Sequence, residues 1–132
     1  MREHSVELRV RYEETDQMGF VYYANYLTWF EVARTEFFRA AGVEYRKIEE
    51  RDNIYIPVIE ASCRYRLPLR YDDLVIVTAV VTDISPTRVA FDYEVKKDGK
   101  VTMTGKTRHA FINADGVPVA VPNVVRKALS RE

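Results

Sequence analysis

The sequence predicts an α+β fold in which one long helix lies against a single curved antiparallel sheet. Three features predict it. Stretches near the start and through the second half alternate apolar and polar residues with a period of two. The stretch from Asn25 to Ala41 has helical spacing instead, and short turn sequences join the later strand-like stretches.

The first strand is read from Val6, Leu8, Val10 and Tyr12 alternating with Glu7, Arg9, Arg11 and Glu13. Glu14-Thr15-Asp16-Gln17-Met18-Gly19 breaks that pattern and reads as a short loop. In the helix, Tyr26, Phe30, Ala33, Phe37 and Ala41 share one face, widened by Leu27, Trp29, Phe38 and Ala40, while Arg34 can pair with Glu31. Asn25 is expected to cap its N-terminus and Gly42 to end it. Val43 to Asn53 reads as a short helix or irregular loop.

Ile59, Ala61, Cys63, Tyr65 and Leu67 form a second alternating strand. Leu74 to Val81 is nearly continuous in β-branched residues, as in a central strand covered on both faces. Ser85-Pro86-Thr87 turns into a strand through Val89, Phe91, Tyr93 and Val95, and Lys97-Asp98-Gly99-Lys100 is a hairpin signal before Val101 to Ile112. Val117 to Val121 suggests a further short strand, and Pro122 a final helix beginning at that residue. One helix covers one sheet face, so the second face of the Leu74 to Val81 run points to another copy of the chain: a homodimer at least, with a tetramer left open.

Length and charge bound the function. The 132 residues suit one domain spanning 1–132, and 47% hydrophobic residues suffice for a core. Lys plus Arg and Asp plus Glu both number 20, so no net charge favours nucleic acid or an anionic membrane. Cys63 is the single cysteine, which suits a reducing compartment, and the N-terminal stretch carries no apolar signal core. A cytoplasmic location without membrane insertion is expected.

Asp16 is the carboxylate best placed for chemistry, because Met18, Phe20, Val21 and Tyr22 follow it and a helix N-terminus lies just beyond. Unpaired amides there stabilise negative charge, so a carboxylate facing them is a minimal kit for acyl transfer or hydrolysis. The plainer alternative is that Asp16 only hydrogen-bonds its own turn. His4 and His109 are distant in sequence, with no metal-ligand spacing, and no metal or redox cofactor is expected.

The run Tyr12-Glu13-Glu14-Thr15-Asp16-Gln17-Met18-Gly19-Phe20-Val21-Tyr22-Tyr23-Ala24-Asn25-Tyr26, followed by Glu31-Val32-Ala33-Arg34-Thr35-Glu36, resembles the 4-hydroxybenzoyl-CoA thioesterase family of hotdog-fold enzymes. The resemblance implies a hotdog fold, a sheet wrapped around the long helix, with active sites at a dimer interface. It implies hydrolysis of an acyl-CoA substrate, with Asp16 as catalytic carboxylate and the Tyr23 backbone N–H polarising the carbonyl. Gly19, Val21, Tyr22, Asn25 and Tyr26 are then expected at the substrate, and Tyr26, Trp29, Tyr55 and Val58 along an acyl pocket if they face the cleft, aromatic residues at helical spacing being more often core. Arg64, Arg66, Arg70 and Arg88 are candidates for the coenzyme A phosphates, Arg88 being chosen for its place at a loop tip. Glu14 stands where the family usually carries Asp, and Tyr23 where some relatives carry His. A hotdog dehydratase and a non-catalytic acyl-thioester binding module are the competing readings; the dehydratase needs a histidine beside a carboxylate, and neither histidine lies near the helix start.

Overall fold

A computed structural model describes residues 2–130. Strands β1 (Glu3–Arg9), β2 (Val58–Tyr65), β3 (Leu74–Ile84), β4 (Arg88–Lys97) and β5 (Lys100–Ala110) form one antiparallel sheet in the order β1-β3-β4-β5-β2. Helices α1 (Asn25–Ala40), α2 (Tyr45–Asp52) and α3 (Asn123–Ser130) complete the chain. The sheet packs around α1, which is the hotdog arrangement that the resemblance implies.

Local chemistry explains the connections. Asp98 and Gly99 both have positive φ, 51° and 76°, which matches the twist that a two-residue hairpin needs between β4 and β5. At the β3–β4 turn, the Arg88 amide donates to Ser85 Oγ at 2.9 Å and the Ser85 amide to the Arg88 carbonyl at 2.9 Å. Arg126 of α3 donates to the Ser85 carbonyl at 2.7 Å, tying the last helix to this turn.

Period-two alternation puts Val75, Val77, Ala79 and Val81 of β3 and Val89, Phe91, Tyr93 and Val95 of β4 on the face toward α1, where all are buried. From α1, Tyr26, Trp29, Phe30, Ala33, Phe37 and Phe38 close this core. Phe30 stacks on Tyr93 with ring centroids 4.2 Å apart and sits over Gly105, where a Cβ would meet the Phe30 ring and the Ser62 carbonyl. Burial of these large side chains supplies the main favourable term in the free energy of the fold.

Several expectations need correction. The first strand stops at Arg9, and Tyr12 turns outward, 77% exposed, in a 3-10 turn over Tyr12–Glu14. Asn25 is the first helical residue rather than the cap; Ala24 occupies the cap position and makes no side-chain cap. Leu27 and Ala40 lie outside the buried face of α1. Arg34 turns inward to the Tyr93 hydroxyl, at 3.1 Å, instead of pairing with Glu31. Val117 to Val121 forms only a single bridge, between Ile112 and Pro118, and α3 begins one residue after Pro122. Strand β3 is internal, but the helix covers only one of its faces: Leu74 and Ile76 on the other remain exposed.

Candidate active site

The loop after β1 folds as a miniature hairpin. Thr15 and Val21 bridge its two legs, the Asp16 amide donates to the Phe20 carbonyl at 2.8 Å, and Gly19, with φ of 84°, closes the tip. Arg70 lies over the Phe20 ring, 4.7 Å from its centroid, and bridges to Phe20 through the backbone, so this arginine braces the loop. The Val21 amide donates to the Leu69 carbonyl at 2.8 Å, fixing the second leg to the sheet side.

Asp16 Oδ1 accepts from the Met18 amide at 2.9 Å and the Phe20 amide at 3.4 Å. The turn role foreseen for this residue is therefore real, and it uses one oxygen. Among the described residues Oδ2 accepts no hydrogen bond. Loop amides thus orient the carboxylate through one oxygen and leave the other without a donor among the described residues.

Across the hairpin, Tyr23 precedes the uncapped N-terminus of α1, and its amide donates to no acceptor among the described residues. A free donor at the positive end of a helix is suited to an oxyanion. The Tyr23 side chain is 60% exposed and its carbonyl accepts from the Tyr65 hydroxyl at 3.0 Å, so the residue is held through its backbone.

Asp16, Val21, Tyr23 and Tyr26 line one cleft of about 270 Å³ together with Met18, Phe20 and the segment from Tyr65 to Pro68. Burial pushes the Tyr26 phenol up to about 12. Burial, then the neighbouring Cys63, also raises the Tyr65 phenol. Both hydroxyls therefore stay protonated at neutral pH and cannot serve as bases.

The other expected contacts fall elsewhere. Trp29 is 3% exposed and donates through Nε1 to Glu14 Oε2 at 2.6 Å, while Asn25 Nδ2 donates to the Glu14 carbonyl at 2.7 Å. Tyr22 packs on the Tyr23 ring at 4.6 Å outside the cleft lining, and Gly19 shapes the tip without lining it. Tyr55 pairs through its backbone with Ile112. Val58 opens β2 and Tyr65 ends it, a span of about 23 Å at strand rise, so Val58 and the cleft lie at opposite ends of that strand. Arg88 borders a separate depression with Asp83 and Arg108; Arg66 is the cation at the cleft. Sequence reasoning passed over Tyr65 as a cleft residue, and its signal was present: an aromatic residue at the end of an edge strand, just before Leu67-Pro68.

Glu14 gains a definite role. Burial opposes its ionisation, but the Arg11 amide, the Trp29 indole and the Arg11 guanidinium outweigh it and hold the carboxyl below its ordinary value. Neither histidine lines the cleft, and among the described residues no group of three or more His, Cys, Asp or Glu side chains is placed to hold a metal ion.

Residues 10–129 match the family model of the thioesterase-like superfamily. The chain belongs to this superfamily. It is 29% identical over 125 residues to the acyl-CoA thioesterase YbgC of Haemophilus influenzae, covering 94% of this chain and 92% of that one. The crystal structure of a DHNA-CoA thioesterase from Staphylococcus aureus superposes with a TM-score of 0.92 at 32% identity, covering 98% of this chain and 90% of that one. A mutant 4-hydroxybenzoyl CoA thioesterase complexed with 4-hydroxybenzoyl CoA has the same fold, with a TM-score of 0.89 at 18% identity over 98% of this chain and 100% of that one. This member of the thioesterase-like superfamily is a thioester hydrolase.

Proposed function

We propose that the chain hydrolyses an acyl-CoA thioester to a free acid and coenzyme A, and that Asp16 supplies the reacting carboxylate. The observation that carries this reading is the pairing, in one cleft, of an Asp16 oxygen left free by its loop with an unpaired Tyr23 amide at a helix N-terminus. The thioester carbonyl oxygen sits at that amide, which strengthens its hold as negative charge builds in the tetrahedral intermediate. Asp16 either accepts a proton from the attacking water or attacks the carbonyl carbon itself, giving an anhydride that water then opens. In both routes the carbon–sulfur bond breaks, the thiolate of coenzyme A leaves and is protonated, and water supplies the oxygen of the acid.

Val21, Tyr23, Tyr26 and Tyr65 form the wall for the acyl group, and Arg66 offers a cation to the phosphates of coenzyme A. Arg88 serves those phosphates only from its separate depression. The chain acts as one domain in a cytoplasmic homodimer, a reading supported by the lone free thiol of Cys63 and by the exposed apolar side chains of β2. No helix among the described residues is long and apolar enough to cross a membrane.

Replacing Asp16 with Asn tests the proposal. Thiol release is expected to fall by about 10² to 10⁴ in kcat, with binding of acyl-CoA retained. Unchanged turnover by Asp16→Asn would refute it. Enoyl absorbance from a 3-hydroxyacyl thioester would favour the dehydratase, and tight binding without thiol release would favour a binding module.

A further inference from the structure

Glu14 is 5% exposed and is the only buried carboxylate among the described residues. Taking such a charge out of water is costly unless donors surround it, and three do. Oε1 accepts from the Arg11 amide at 2.8 Å; Oε2 accepts from Trp29 Nε1 at 2.6 Å and from the Arg11 guanidinium at 3.5 Å. The main-chain carbonyl of the same residue accepts from the Tyr22 amide at 2.8 Å and from Asn25 Nδ2 at 2.7 Å.

These contacts span the parts that must stay in register. Glu14 is two residues before Asp16 on one leg of the hairpin; Tyr22 precedes Tyr23 on the other; Asn25 and Trp29 belong to the first turns of α1. The Trp29 bond locks the first leg to the helix, and the carbonyl bonds lock the second leg and the helix start to the first. The length of the glutamate side chain carries its carboxylate to the Trp29 indole.

We infer that Glu14 is a positioning residue, which sets the separation between the Asp16 carboxylate and the Tyr23 amide by clamping their shared hairpin to α1 through Trp29. The inference rests on the function proposed above. Misplacement of about 1 Å at a reacting centre can cost 100-fold in rate, so loss of the clamp should appear in kcat and leave KM nearly unchanged.

Trp29 is the single tryptophan, so its fluorescence reports on this bond directly. Glu14→Gln, Trp29→Phe, their double variant and Asp16→Asn are assayed by thiol release from acyl-CoA. Emission is recorded where Trp29 remains, and urea unfolding fixes the folded fraction. Glu14→Gln is expected to shift the emission and lower kcat roughly 10- to 100-fold with KM within about twofold. Trp29→Phe should lower kcat comparably, and the double variant should be no worse than the poorer single one, because Glu14→Gln leaves one acceptor oxygen for the Arg11 amide and the Trp29 indole together and Trp29→Phe removes the indole donor, so both weaken the same clamp. Wild-type kcat per folded molecule in Trp29→Phe, or in Glu14→Gln despite shifted emission, would overturn the inference, as would a lowered unfolding midpoint alone. If Glu14→Gln does not fold, Trp29→Phe decides. Full activity in Asp16→Asn would instead overturn the functional reading, so the two failures are told apart.

Discussion

Asp16 Oδ1 is held by the amides of Met18 and Phe20, Oδ2 accepts no hydrogen bond among the described residues, and the residue lines the cleft. A turn aspartate and a reacting aspartate are usually weighed as alternatives, yet the turn contacts use one oxygen and the proposed reaction would use the other, so the two roles are compatible. The same reasoning assigns Tyr23 to its backbone. Tyr23→Phe is expected to keep kcat within about threefold of wild type in the thiol-release assay, since the N–H is untouched; a loss of 100-fold would give the phenol a part in the chemistry. Gly105 illustrates a residue required by packing alone. A Cβ there would collide with the Phe30 ring and stand 3.0 Å from the Ser62 carbonyl, so Gly105→Ala should cost about 1–3 kcal/mol in urea unfolding. A neutral result would mean that the helix shifts freely over the sheet. At this scale the sequence was legible where chemistry is local. Asp16, Val21, Tyr23 and Tyr26 could be named because one short motif carries them, and Arg66 stood among the candidates for the phosphates, whereas Tyr65 reaches the cleft only through the pairing of β2 with β5. Trp29 could be read as core or as pocket aromatic in the sequence; it is core, with its indole N–H donating to a buried carboxylate.

Among the elements, α1 was readable nearly end to end because its apolar face has an unbroken helical period, and β3, β4 and β5 because turn residues mark their ends. The cap of α1 was misread for a physical reason: Asn25 lies one residue inside the helix and its Nδ2 donates to the Glu14 carbonyl, so Ala24 takes the cap position and no side chain caps the helix start. A polar chain running from α1 through β4 to β5 is likewise concealed by sequence spacing. Arg34 donates to the Tyr93 hydroxyl, which shares a 2.7 Å bond with Thr107, whose hydroxyl lies 2.8 Å from His109 Nε2. Burial, and then the Arg34 charge, push the His109 imidazole from 6.5 down to about 4. The unfolded chain therefore binds the extra proton first. The stability tied to a neutral His109 is complete above pH 6.5 and is lost as pH falls toward about 4, by roughly 3 kcal/mol in all. Urea midpoints measured across that range should decline more steeply in wild type than in His109→Gln; parallel slopes would show that this histidine is not the titrating group.

For the whole molecule, a single chain leaves apolar surface on both flanks of its sheet. Val58, Ile59, Tyr65 and Leu67 are exposed on and just beyond the edge strand β2, and Leu74 and Ile76 on the face away from α1. An unpaired edge with exposed apolar side chains invites another chain, and the cleft borders that edge through Tyr65. Sedimentation velocity at micromolar protein is expected to give at least twice the chain mass; a monomer that retains full turnover would contradict the proposed dimer. The β-branched run of β3 suggested cover on both faces, but within the single chain Leu74 and Ile76 stay exposed on the face away from α1. The central claim is a spatial one, that a thioester carbonyl comes to rest between Asp16 and the Tyr23 amide. A crystal structure of Asp16→Asn with an intact acyl-CoA tests it most directly. The carbonyl oxygen should lie within about 3 Å of the Tyr23 nitrogen, with the side chain at position 16 facing the carbonyl carbon; a thioester bound elsewhere, or turned away from that amide, would contradict the account.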